Sequence, residues 1–131
     1  PENYIYCKYC NRAMNIIPAD YLDNRAERKL QSMKEHKIAV WPVKNSVQIM
    51  TQVIPSLLKE NIYFIDSSKF KQGTTLGETK KYVHAPEMID QEKIDTVILS
   101  ITTPTVLEII DEITKKYPSV KQILYAGDLL Q

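Results

Sequence analysis

The turn Pro42-Val43-Lys44-Asn45-Ser46 separates an apolar run (37–41) from a helical pattern. Between a strand and a helix, such a turn leaves backbone N–H groups free to hold an anion. A glycine-rich turn would let the backbone approach a pyrophosphate closely, but this one has no glycine, and Pro42 lacks an N–H. Lys44 brings a positive charge, and Asn45 or Ser46 can cap the helix that follows. The turn is either ligand-facing or a plain strand-to-helix connection with a polar cap.

Three other places carry comparable chemistry. Asp66 ends the next apolar run, "IYFID", about 20 residues after the turn, where a carboxylate meets a ribose hydroxyl in dinucleotide folds. An Asp there can equally cap a loop. "KFKQGTTLG" follows: Lys71, Gln72 and Gly73 belong either to a loop reaching over a ligand or to a solvated connection. Thr102 lies just beyond a later apolar run. Cys7-Lys8-Tyr9-Cys10 has the C-x-x-C spacing of half a tetrahedral zinc site, but no second pair exists to complete it. It reads as unliganded, as half of a site finished by other residues, or as a redox pair. His36 reads as a cation at a helix C-terminus and His84 as structural. Neither forms an acid/base pair or triad with a sequence neighbour, so no self-contained catalytic site is visible.

The elements that must position these groups alternate. Residues 20–36 read as a helix with Leu22, Ala26, Leu30 and Met33 on one stripe. "KIAVW" (37–41) reads as a strand. Residues 46–60 read as a helix that Pro55 kinks or breaks. "IYFID" (62–66) and "KKYVH" (80–84) read as strands, and Pro86 opens a short helix. "DTVILSI" (95–101) is a strand, a helix capped by Thr103 follows, and "QILYA" (122–126) is the last strand. The main strands are apolar throughout rather than alternating, which means parallel strands covered on both faces. Right-handed crossovers then give the order 3-2-1-4-5 with "KIAVW" as strand 1. Residues 1–36 are expected to be an extension with one helix, and 37–131 the α/β domain. A ligand crevice belongs beyond the strand C-termini, between strands 1 and 4.

Composition sets the outer bounds. At 44% hydrophobic, 25% charged and net +1, the chain has neither the signature of disorder nor a field to draw in nucleic acid or a membrane surface. No apolar run approaches the roughly 20 residues of a membrane helix. Two cysteines make no disulfide framework, so a cytoplasmic setting is the expectation. The start, Pro-Glu-Asn-Tyr, is not a signal peptide and lacks an initiator Met, which fits a domain excised from a longer polypeptide.

The order of motifs over residues 37–126 resembles a Rossmann-like domain of bacterial sugar-modification enzymes. That domain is the C-terminal part of sugar C-methyltransferase-like proteins and occurs in related nucleotide-sugar and polysaccharide biosynthesis proteins. The residues that carry the likeness are Asp66, Lys71-Gln72-Gly73, Gly77, Pro86-Glu87 and Asp95. At the first turn the chain departs from the family, which has glycine where Pro42-Val43-Lys44 stand. The resemblance implies a Rossmann-like three-layer fold with a mostly parallel sheet. It further implies an accessory domain of a transferase whose S-adenosylmethionine site lies in another domain, and a loose parallel between Cys7/Cys10 and zinc-binding segments. The expected ligand is a nucleotide-sugar or similar anion, held by Lys44, Asn45, Ser46, Asp66, Lys71, Gln72, Gly73 and Thr102. No cofactor of this domain is named. The competing expectation is a scaffolding domain with a degenerate, empty site. An independent oxidoreductase lacks both the glycine fingerprint and an acid/base pair.

Overall fold

The computed structural model describes residues 19–130. Five short strands, β1 (Ile38–Trp41), β2 (Ile62–Ile65), β3 (Val83–His84), β4 (Thr96–Leu99) and β5 (Gln122–Tyr125), form one sheet in the order β3-β2-β1-β4-β5. Every pairing is parallel, with Ile38 opposite both Ile62 and Thr96. The helices are α1 (Ala19–Ser32), α2 (Asn45–Val53), α3 (Met88–Gln91) and α4 (Thr105–Lys116); Pro55–Leu58 and Ala126–Leu130 are 3₁₀ turns. This is the expected Rossmann-like arrangement, in which the connection reverses direction between β1 and β4.

Successive strand residues point to opposite faces, so β1 feeds two cores. Ile38 and Val40 join Ile62, Phe64, Val47 and Leu57 on one face, and Ala39 and Trp41 join Ile65, Val97, Leu99 and Ile109 on the other. All four residues of β1 are buried, as are all four of β4. That is why their sequences are apolar without alternation. Burying a side chain such as Phe64 contributes about 1.5–3 kcal/mol.

Several local expectations are corrected. Ala26 and Leu30 of α1, and Met33 just after it, pack in the first core cluster with Ile38 and Val40 of β1. Leu22's side chain, with residues 1–18, lies outside the described part. Glu27 fastens α1 to the 3₁₀ turn at Pro55–Leu58: its carboxylate accepts the Ser56 N–H (2.6 Å) and hydroxyl (2.5 Å). The expected helix 46–60 is broken, because Pro55 disfavours helical backbone at Ile54; α2 ends at Val53 and a new turn starts. Neither Asn45 nor Ser46 caps α2: Lys44 holds the cap position and no side chain bonds there. Thr103 does not cap α4 either; that position is Pro104's. His36 sits beyond the end of α1, not within it.

The short α3 ends in a Schellman arrangement. The Ile94 N–H donates to the Ile89 carbonyl at 2.9 Å, the two side chains share the second core, and Lys93 takes φ 55°. A lysine thus occupies the left-handed position that glycine normally fills.

Candidate functional site

The turn after β1 is pinned from both sides. From β4, the Ser100 N–H donates to the Trp41 carbonyl at 3.0 Å and the Ser100 hydroxyl donates to the Pro42 carbonyl. From β2, the buried Asp66 carboxylate accepts the Val43 N–H at 2.9 Å and the Ser68 N–H at 2.8 Å. Lys71 Nζ donates to the Val43 carbonyl at 2.7 Å and lies 3.6 Å from Asp66 Oδ2. Gln72 Nε2 donates to the Asp66 carbonyl at 2.9 Å. Side chains from the segments after β2 and β4 therefore fix the conformation of this glycine-free turn, and the Val43 N–H is already taken by Asp66. The Trp41–Pro42 peptide is cis.

Beside this turn lies a crevice of about 430 Å³, on the α4 side of the sheet. Trp41, Pro42 and Lys44 line it from β1, Asp66 and Ser67 from β2, and Ile101 and Thr103 from the segment after β4. Thr105, Glu108, Ile109 and Glu112 line it from α4. Lys44, Ser67, Thr103, Thr105 and Glu108 are exposed, so the crevice opens to water. Its floor is apolar: Trp41 is 1% exposed, and Ile101 and Ile109 flank the opening. Phe70 does not fill this space: it is 96% exposed and outside the crevice lining.

The eight residues expected to meet a ligand therefore divide. Lys44 and Asp66 share the crevice wall. Asp66, Lys71 and Gln72 are hydrogen-bonded to the turn and its supporting loop. Asn45 and Ser46 are exposed at the start of α2, outside the crevice lining. Gly73 has φ 82° and donates its N–H to the Val83 carbonyl, and it does not line the crevice; nor does exposed Thr102. Cys7 and Cys10 lie outside the described residues. Among the described residues no group of three or more His, Cys, Asp or Glu could hold a metal ion. No described helix is long and apolar enough to cross a membrane.

The α4 wall was not anticipated. Thr105, Glu108, Ile109 and Glu112 fall at i, i+3, i+4 and i+7, one helical face, and that spacing was readable. Also unforeseen is the cluster at the opposite end of the sheet. His36 Nδ1 meets Asp95 Oδ1 at 3.1 Å; the same oxygen accepts the Thr96 hydroxyl, which in turn accepts from Gln122 Nε2. His36 and Asp95 are 59 positions apart, so nothing local signals the pairing. A smaller cavity of about 280 Å³ lies between α1 and the 3₁₀ turn, with Lys34 and Lys59 on its wall.

Three titrating groups among the described residues are displaced by their surroundings: Tyr117, His84 and Lys81, the last lowered by burial and partly restored by Glu60. Burial pushes the Tyr117 phenol up to about 12, with Glu112, Glu87 and Asp90 adding to the rise. Burial also holds His84 below the usual imidazole range; the nearby Lys81 adds to that and Glu92 opposes it. No protein-family model, curated protein or solved structure matches the chain.

Proposed function

We propose that this chain is a Rossmann-like binding domain whose crevice at the strand C-termini holds a small ligand with an anionic group. Nucleotide-sugars are the class we favour, with the domain serving as an accessory unit of a sugar-modifying, methyltransferase-like protein. The observation that carries the reading is the open crevice itself, which has Lys44 on one wall, the pinned turn behind it and an apolar floor at Trp41. Lys44 has no ion pair among the described residues, so its charge is available to a phosphate. The apolar floor suits a ring face, as ligand pockets combine apolar area with few polar anchors. The attachment to sugar chemistry rests on the motif resemblance.

A second reading, an interaction domain with an empty site, is favoured by one observation: Asp66, Lys71 and Gln72 are already satisfied within the protein. A thermal-shift panel of nucleotide-sugars, simple nucleotides, S-adenosylmethionine and NAD(H) separates the two. A ligand at 100 times its Kd adds about 2.7 kcal/mol, which raises the midpoint by several degrees. A rise with nucleotide-sugars that is lost in Lys44→Ala supports the binding reading. A flat panel supports the interaction domain.

A further inference from the structure

The crevice has two chemically different ends, and the difference narrows the ligand further. At the α2 end stands one cation, Lys44. The Lys71 charge lies 3.6 Å from Asp66 and offsets it. At the α4 end stand Glu108 and Glu112, two carboxylates four residues apart on the wall of the crevice. Like charges at this spacing cost a helix a few tenths of a kcal/mol. The helix does contain cations that could relieve them, yet Lys115 pairs with Asp111 at 3.0 Å. Among the described residues neither glutamate has an ion-pair partner. Glu112 adds to the rise that burial imposes on the Tyr117 phenol. The lining of the crevice therefore combines one cation and two carboxylates, none with an ion-pair partner among the described residues, with an apolar floor.

Such a wall keeps phosphate away from the α4 side of the crevice and attracts hydrogen-bond donors, most strongly a charged one. We infer that the ligand is zwitterionic: a phosphate-linked amino sugar, with its anionic group at Lys44 and its ammonium group between Glu108 and Glu112. The inference rests on the proposed function, since it names the sugar class of that same crevice. Thr105, on the same α4 face, is placed to meet sugar hydroxyls.

The test is isothermal titration calorimetry at pH 7 with two matched probes, uridine diphosphate glucosamine and uridine diphosphate glucose. The amino sugar is expected to bind about tenfold tighter, a difference of about 1.4 kcal/mol. In the Glu108→Gln/Glu112→Gln double variant the ratio is expected to fall to about one. Equal affinities in the unmodified protein, or a preference that survives the double variant, overturn the amino-sugar assignment and leave the binding reading standing. If neither probe binds, the binding reading falls and the assignment falls with it. Circular dichroism of the double variant guards against misfolding, and both glutamates lie on the crevice rim rather than in the core.

Discussion

Asp66→Ala isolates what holds the glycine-free turn. Asp66 is 6% exposed and accepts two backbone N–H groups, from Val43 and Ser68. Val43 is itself buried, so truncation leaves its N–H without water or partner, at about 1–3 kcal/mol. Ser68 is only half-buried and regains water, so its lost charged hydrogen bond counts for less, about 1 kcal/mol. Lys71 loses its counter-ion but keeps the Val43 carbonyl, and its partial exposure makes that loss small. The total is about 3 kcal/mol, or roughly 10 °C in Tm for a domain of this size. Urea unfolding followed by circular dichroism reads it as a lower midpoint at unchanged slope. Asp66→Asn keeps one acceptor oxygen and is expected to lose about half as much. A change under about 0.5 kcal/mol in Asp66→Ala would refute the claim that this carboxylate organises the turn.

Other consequences are smaller but equally checkable. Glu27→Ala orphans the N–H and hydroxyl of buried Ser56 and is expected to cost about 1–2 kcal/mol in urea unfolding. Lys93→Gly is expected to stabilise by about 0.5–1 kcal/mol, because glycine accepts φ 55° freely and the Lys93–Asp90 pair at 3.8 Å is exposed. Tyr117 holds its proton more tightly folded than unfolded, so its contribution is complete below pH 10 and is lost as pH rises from about 10 to about 12. Tyr117→Phe should flatten that part of the stability curve and remove the latest-titrating phenolate from the ultraviolet absorbance. His84 is displaced downward, so its contribution is present above about pH 6.5 and declines as pH falls below that; an NMR titration should find its midpoint below that of a free imidazole.

How much of this was legible depended on range. The apolar runs of β1 and β4 announced two-sided burial, and the alternation of elements then gave the strand order. Pro55 announced the end of α2. β3 was overdrawn because Tyr82 looks like a strand residue, whereas it is 53% exposed and makes only an isolated bridge with Thr75. The caps failed for a local reason: Asn45, Ser46 and Thr103 have suitable side chains, but Asn45 and Thr103 stand one position and Ser46 two positions away from where the backbone places the cap. The surroundings of Asp66 were hidden for a long-range one. Asp66 stands where a ribose-binding carboxylate would, but its oxygens are directed at Val43, 23 positions away, and at Ser68. Only three-dimensional packing decides between a ligand and a backbone N–H for the same carboxylate. Glu108 and Glu112 could have been found by extending the helical-face analysis of α4 from its apolar stripe to the neighbouring polar one.

The central claim is that the crevice between β1, β2 and α4 binds a small sugar-bearing anion. Its most direct test is a ¹H–¹⁵N NMR titration of the chain with a nucleotide-sugar. Perturbations are expected at the Trp41 indole, the Lys44 and Ser67 amides and the Thr103–Thr105 segment, with their loss in Lys44→Ala. No perturbation at millimolar ligand, or one confined to Lys34 and Lys59 beside α1, would contradict it.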